Sequence, residues 1–262
     1  MSSDGAARPH RECYAMSAAI LAVIGFSTVV TAFISGILGM AGGMILMGVL
    51  LALLPVAAAM MLHGVIQLAA NAARAWMLRS QIDRRVLTGY ALGSFAALGA
   101  FALVQLVVSK PVALLALGAM PFIAWMLPKD LRLDVGRRGH PFACGAVCGA
   151  LSLTAGISGP ILDVFFMHST MGRHAVVATK AATQSLSHLL KIAYFGAIVS
   201  ATGDEVTPAV AATMVVLAIA GTRASKAVLE RIDDSTFRVW TRRVTLTIGA
   251  VYLGSAGVML GG

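Results

Sequence analysis

The chain has 262 residues, of which 58% are hydrophobic and 12% are charged, and its formal net charge is +9. A soluble globular domain carries about 25% charged residues, so this composition excludes an ordinary soluble fold. The positive charge would suit a nucleic-acid partner, but most basic residues lie in short segments between apolar runs. That arrangement is typical of the topology signals of membrane proteins, and we expect no nucleic-acid partner.

Long uncharged runs recur from one end of the chain to the other. The first of them, residues 13–73, contains no Asp, Glu, Lys or Arg. Five later runs share this property: 86–109, 111–128, 141–162, 206–222 and 244–262. Because a transmembrane helix needs about 20 apolar residues, the first run alone holds two or three spans. The sequence therefore predicts an all-α polytopic membrane protein.

The polar N-terminal tail, residues 1–13, is predicted to be retained. It leads into an apolar run much longer than the core of a signal peptide, which has about 7–15 residues. The chain has three cysteines, Cys13, Cys144 and Cys148. Cys144 and Cys148 are interpreted as packing residues, because no second Cys or His pair follows at a metal-binding spacing. We expect neither a cofactor nor a bound metal.

The first apolar run is interrupted by "GMAGGMIL", residues 39–46, which contains three glycines. Each glycine costs a helix interior about 1 kcal/mol relative to alanine. The apolar piece that follows, residues 44–54, is about 16 Å long as a helix, too short for about 30 Å of hydrocarbon. A short piece after a glycine break predicts a broken or re-entrant helix. The alternative is that the glycines only allow close helix packing.

A second glycine stretch, "GISGPILD" at residues 156–163, aligns with the first at an offset of 117 residues. It precedes an even shorter apolar piece, residues 161–169. At the same offset two polar quartets align, namely His63, Gln67, Asn71 and Arg74 with Lys180, Gln184, His188 and Lys191. Two coincidences in one register indicate a duplicated half.

Loop charges predict that the two halves have opposite orientations in the membrane. The segments 79–85, 128–140 and 223–243 are rich in Arg and Lys, whereas 200–206 is acidic. The basic segments should be cytoplasmic, so the helix of the first quartet ends inside and that of the second ends outside. The predicted organisation is a polar tail (1–13), a first transmembrane repeat (14–127), a basic cytoplasmic linker (128–140) and a second, inverted repeat (141–262), with about four to five helices in each repeat.

Each quartet forms a stripe on one helix face, because positions i, i+4, i+8 and i+11 fall within an arc of about 80°. The two helices are predicted over about 56–78 and 175–199. Lys or Arg at mid-membrane costs about 2.5–3.5 kcal/mol on insertion scales, so both stripes should face inward. Arg74 and Lys180 lie near enough to helix ends to reach water, whereas Lys191 lies well inside its span.

Cationic stripes and the N-termini of half-helices together suit a small anion with several acceptor oxygens. The candidate substrate-binding residues are Gly39, Gly42, Gly43, His63, Gln67, Asn71, Arg74, Gly156, Gly159, Pro160, Lys180, Gln184, His188 and Lys191. Asp163 and His168 lack polar counterparts in the first half and are candidate coupling residues. Asp163 is alternatively a structural counter-ion to Lys180 or Lys191.

Three features of the sequence resemble the sulfite exporter (TauE/SafE) family of bacterial membrane permeases. They are the glycine-rich break after the first span, the basic step "RSQID", and the glycine-proline break before "VVATKAATQSLSHLLKIAYFG". The resemblance covers about residues 33–257. It implies a transporter, with export as the expected direction, in the bacterial inner membrane. Its substrates would be sulfite, sulfonates such as sulfoacetate, and taurine-derived compounds.

Two other functions stay open at this point. One is a polytopic membrane enzyme that uses His63, His188 and Asp163 as acid–base groups or metal ligands, and the other is a transporter of small carboxylates. Matched broken helices favour a transporter over an enzyme, and the sequence contains no nucleotide-binding motif of a primary pump. The expected partners are a small anionic substrate, the lipid bilayer, a proton or a sodium ion for coupling, and a second copy in a homodimer.

Overall fold

A computed structural model of the protein describes residues 17–38, 40–128, 133–202, 206–229 and 234–261. The regular structure of these residues is helical throughout, in agreement with the predicted all-α class. The helices are α1 (Ala18–Leu38), α2 (Ala41–Leu53), α3 (Val56–Met77), α4 (Arg84–Val104), α5 (Lys110–Met126), α6 (His140–Thr154), α7 (Gly159–Met167), α8 (Arg173–Thr202), α9 (Pro208–Leu229) and α10 (Asp234–Gly261), with a 3₁₀ turn at Arg79–Gln81.

Several predicted features lie outside the described residues. They are the N-terminal tail with Cys13, the first glycine Gly39, residues 129–132 of the linker and residues 203–205 of the acidic loop.

Five helices of the described part are long and apolar enough to cross a membrane. They are α1, α3, α4, α9 and α10, each over a window of at least 18 residues. A helix of 18 residues is about 27 Å long, close to the thickness of the hydrocarbon core. The protein is therefore a multi-pass membrane protein.

The two glycine stretches contain the starts of the two shortest α-helices of the described part, α2 with 13 residues and α7 with 9 residues. At 1.5 Å per residue these helices are about 20 Å and about 14 Å long, so neither spans the hydrocarbon. Both begin earlier than the predicted apolar pieces, because Gly42 and Gly43 belong to the first turn of α2 and Gly159 begins α7. Pro160 follows in the first turn of α7, where its missing N–H leaves no hydrogen bond unmade.

Gly42 allows α2 to pack closely along α1. A Cβ atom on Gly42 would overlap the carbonyl oxygen of Thr31 and lie 2.6 Å from the backbone nitrogen of Ser35. Because these are backbone atoms, they cannot move aside without shifting the helix. For Gly42, therefore, the close-packing interpretation describes what the structure shows.

Helices of the two halves pack together in matching pairs. α3 packs against α8 and α5 against α10, while α1 packs against α9 and α4 against α6. If α1–α5 are matched in order with α6–α10, this set of pairs is unchanged when the two halves are exchanged. Such an exchange symmetry is the packing expected of a duplicated half.

α3 and α8 run antiparallel. A Cβ atom on Gly64 in α3 would lie 3.2 Å from Lys191 Cε in the second half of α8. Just beyond the end of α3, the backbone nitrogen of Asp83 donates to Thr179 Oγ1 near the start of α8, at 3.0 Å. The end of α3 and the start of α8 therefore lie together. This end of the helix pair, which carries Arg79, Arg84 and Arg173, is called the basic end below.

Two cysteines of α6 contribute to packing between the halves. Cys144 and Cys148 are fully buried free thiols on the face that meets α4. A Cβ atom on Gly145 would overlap the carbonyl oxygen of Tyr90 in α4, so the two helices touch through their backbones. Small side chains suit this close contact, in agreement with the packing interpretation of these cysteines.

The sidedness of the loops can be tested by cysteine labelling in a background without native cysteines. An impermeant maleimide should modify Arg84→Cys and Arg138→Cys from the cytoplasmic side and Ser200→Cys from the opposite side, because the loop charges predict that the two ends of α8 face opposite sides of the membrane. All three positions are exposed. Restoring the buried Cys148 alone provides a control that should stay unlabelled. Labelling of Arg84→Cys and Ser200→Cys from the same side would contradict this arrangement.

Candidate functional site

The two polar stripes line a single cavity of about 270 Å³. The cavity lies between α3 and α8, at the first turns of α2 and α7. The structure brings seven of the eight stripe residues to its wall: His63, Gln67, Asn71, Arg74, Lys180, Gln184 and His188. The eighth, Lys191, does not line the cavity.

Charged side chains stand at the mouth of the cavity. Lys180 Nζ donates to Asp163 Oδ1, and the two side chains are 28% and 36% exposed. Of the two lysines considered as partners of Asp163, the structure therefore selects Lys180. Arg74 lines the same cavity near the end of α3. Because His63 at the other end of the stripe is fully buried, the cavity opens toward the basic end.

Two glycines let the stripe glutamines approach the short helices. A Cβ atom on Gly43 would overlap the side-chain amide of Gln67, and one on Gly159 would lie 3.7 Å from Gln184 Nε2. The first-turn N–H groups of a helix have no intrahelical acceptor, and they carry the positive end of the helix dipole. The cavity thus combines amide side chains with two helix N-termini, which is a favourable setting for an anion.

Behind the cavity, a chain of hydrogen bonds joins the two glycine stretches. Lys191 Nζ donates to the carbonyl oxygen of Gly156 at 2.7 Å and lies 2.8 Å from His63 Nδ1. His63 Nε2 lies 3.0 Å from the carbonyl oxygen of Gly43. Since a carbonyl only accepts, Nε2 of His63 carries the hydrogen and Nδ1 accepts from Lys191. We call these four residues the His63–Lys191 link.

Gly156 has a backbone conformation that other residues rarely adopt. Its φ is +78°, in the left-handed region, and a Cβ atom there would lie 2.9 Å from Met60 Sδ. Glycine is the residue that accepts this conformation without a steric cost. The turn between α6 and α7 can therefore direct the carbonyl of Gly156 toward Lys191.

His188 stands beside the link and also lines the cavity. Its ring centroid is 5.8 Å from that of His63 in an edge-to-face arrangement. The side chain is 7% exposed, and among the described residues its Nδ1 atom has no hydrogen-bond partner. An unpaired buried ring nitrogen is costly, which makes this group a candidate for a role in function.

Some predicted site residues lie away from the cavity. Pro160 is buried in the first turn of α7, and His168 is exposed just after that helix. Gly42 contacts α1, and Gly156 contributes its carbonyl to Lys191.

The cavity also contains residues that sequence reasoning missed, namely Ser35, Met40, Ser158 and Thr241. Ser158 lies inside the glycine-proline stretch, which was the one available signal for it. Thr241 comes from α10, and nothing in its local sequence indicates that α10 reaches the site.

The three residues proposed for the enzyme alternative, His63, His188 and Asp163, all line the cavity, and the two histidine rings lie beside each other. Asp163 contacts Lys180, whereas His63 contacts Lys191 and Gly43. In the part of the chain that the structure describes, no group of three or more His, Cys, Asp and Glu side chains is placed to hold a metal ion.

A polar, cationic cavity enclosed by apolar helices and by two short helices is typical of secondary membrane transporters. The family model for the sulfite exporter TauE/SafE matches residues 21–252. The chain therefore belongs to the TauE/SafE sulfite exporter family, as the glycine motifs and the basic step suggested. No curated protein and no solved structure matched the sequence.

The different surroundings of neighbouring glycines predict different costs of adding a methyl group. Gly42→Ala would force backbone atoms of α1 and α2 apart and should lower the free energy of unfolding by about 1–3 kcal/mol. Gly43→Ala meets only the end of the flexible Gln67 side chain and should cost less. Gly99→Ala is the control, because no atom lies within 4 Å of its Cβ position. Thermal unfolding in detergent measures all three, and equal losses for Gly42→Ala and Gly43→Ala would contradict this assignment.

Proposed function

We propose that the protein is a secondary transporter that exports sulfite or small organosulfonates, such as sulfoacetate and taurine-derived compounds, across the bacterial inner membrane. The observation that carries this proposal is the cavity, in which Arg74 and Lys180 and the amides of Gln67 and Gln184 surround the first turns of two short helices. We assign the binding of the anion to the seven stripe residues at its wall.

The donors of the cavity match the acceptors of a sulfonate. Its three oxygens share one negative charge and only accept hydrogen bonds, while Arg74 and Lys180 only donate. Hydrogen bonds between charged groups are shorter and stronger than those between neutral ones. The volume of about 270 Å³ lies just below the about 300–1,000 Å³ typical of ligand pockets, which suits a small ion.

An anion entering the cavity would compete with Asp163 for Lys180. The pair sits at the mouth with both side chains partly exposed, so separating it costs little compared with breaking a buried pair. In this proposal the carboxylate holds Lys180 in place while the site is empty. It yields the ammonium to a substrate oxygen when the anion binds.

The position of the mouth indicates the side from which the described conformation takes up its substrate. The cavity opens toward the basic end, where Arg79, Arg84 and Arg173 are found. By the positive-inside rule this end faces the cytoplasm. The described conformation would therefore load an anion from the cytoplasm.

The packing of the two halves supports an inverted repeat. α3 and α8 occupy corresponding places in the two halves and run antiparallel, and each half places one short helix at the cavity. We propose that the halves, residues 14–127 and 141–262, alternate between two arrangements. In the second arrangement the His63 end of the cavity would open while the Arg74 and Lys180 end closes. The homodimer and a sodium ion as coupling partner stay predictions.

Anion binding to detergent-solubilised protein tests the site directly. We expect methanesulfonate, sulfoacetate and sulfite to bind in titration calorimetry. Lys180→Met should weaken binding about tenfold, because a charge-assisted hydrogen bond is lost and Asp163 is left to repel the anion. Asp163→Asn should strengthen binding about threefold, the scale of an exposed ion pair.

The matched control is Lys110→Met, which removes a lysine at the start of α5, away from the cavity. Its affinity should equal that of the wild type. Acetate and succinate serve as rival ligands. If either binds more tightly than every sulfonate tested, the substrate is assigned to the small carboxylates instead. If Lys110→Met weakened binding as much as Lys180→Met does, the cavity would not be the binding site.

A further inference from the structure

We propose that Lys191 binds one proton with each transported anion and thereby couples anion movement to protons. This inference rests on the proposed function, since the anion in the cavity supplies the charge that the proton needs. Lys191 lies one layer behind the cavity wall, and its contacts with His63 and Gly156 fix the position of its amine nitrogen.

The surroundings of Lys191 offer acceptors to both N–H groups of a neutral amine but to only two of the three N–H groups of an ammonium. The side chain is fully buried, and Nζ has two acceptors among the described residues, Gly156 O and His63 Nδ1. A neutral amine has two N–H groups, whereas an ammonium has three. Both hydrogen bonds can therefore persist in either protonation state. Only the charged form requires a nearby negative charge to offset its burial.

No described carboxylate meets that requirement. Asp163, the acidic residue at the cavity, is hydrogen-bonded to Lys180. The other titratable groups facing this region are His63 from α3 and His188 from α8 itself, together with Tyr90 from α4, whose hydroxyl contacts Ser187. α6 contributes Cys144 and Cys148, and the sequence of α2 contains no titratable residue. None of these neutralises an ammonium, so the negative charge has to come from the cavity.

The cavity is close enough to supply both the charge and the proton. His63, which contacts Lys191 directly, and His188, one helical turn before it, both line the cavity. The ring nitrogen Nδ1 of His188 is buried and has no hydrogen-bond partner in the described structure, so we assign to this ring the transfer of a proton between the cavity and the link. A bound anion attracts the ammonium across this single layer of imidazole rings.

The proton balance of the step is simple. A hydronium ion in the cavity gives up one proton through the imidazole layer: its O–H bond breaks and leaves water, and the Nζ lone pair of Lys191 forms the new N–H bond. The link gains one positive charge while the cavity gains the single negative charge of the sulfonate. The loaded site therefore has the same net charge as the empty one. When the anion dissociates, the proton is released. By linkage, each ligand strengthens the binding of the other by the same factor.

Titration of the purified protein with methanesulfonate, whose charge is constant across the neutral range, tests this coupling. Calorimetry gives the affinity, and a pH indicator in weakly buffered solution gives the protons taken up in the same sample. The wild type should take up as much as one proton per anion, and its dissociation constant should rise up to about tenfold per pH unit as the pH increases. Lys110→Met is the matched control and should behave like the wild type.

Two substitutions of Lys191 should abolish proton uptake for opposite reasons. Lys191→Arg carries its charge at every accessible pH and should bind the anion with an affinity independent of pH. Lys191→Met never carries a charge and should bind the anion more weakly, again without pH dependence. Should Lys191→Met fail to give monodisperse protein, Lys191→Arg still decides the question.

The outcomes separate this inference from the proposed function. Proton uptake that persists in Lys191→Arg or Lys191→Met would overturn the assignment to Lys191. Anion binding by the wild type without proton uptake anywhere in the neutral range would overturn the coupling and leave the anion site intact. Absence of sulfonate binding in the wild type would overturn the proposed function, and the coupling with it.

Discussion

The architecture depends on one set of hydrogen bonds, those that run from Gly43 through His63 and Lys191 to Gly156. Backbone that leaves regular helix inside a membrane needs partners within the protein, because lipid offers none. Gly156 lies in such a segment, between α6 and α7. Its carbonyl finds its partner on α8, and the same lysine reaches α3 through His63. One interaction thus satisfies a broken main chain and holds the two halves together.

The two ends of the cavity are chemically unequal although the helix packing around them is nearly symmetric. The offset of 117 residues aligns His63 with Lys180 and Arg74 with Lys191. Antiparallel packing therefore brings the first position of one stripe next to the last position of the other at each end. At one end this gives the buried pair of His63 and Lys191, and at the other it gives Arg74 and Lys180 beside Asp163. The two ends of the cavity therefore carry different charged groups.

Patterns of neighbouring residues in the sequence predict much of this structure. Hydropathy alone indicates the membrane class, and the spacing of the quartets predicts both stripe helices, observed as α3 and α8. The short helices α2 and α7 are predicted by the glycine stretches, because each stretch lies too close to the next predicted helix for a full membrane crossing between them. These features are accessible because helix periodicity and the thickness of the bilayer act on residues near each other in sequence.

The sequence by itself thus determined the membrane class, the two inward-facing stripes and the places where the helices break. Tertiary structure alone decided the partner of each charge, since Lys180 and Lys191 are alike in sequence and only one meets Asp163. It also separated Gly42 from Gly43, because one residue is a rotation of about 100° around a helix, enough to point one glycine at α1 and the other at the cavity. Tertiary structure also placed Lys191 behind the wall that the rest of its stripe forms, in contact with His63 and Gly156.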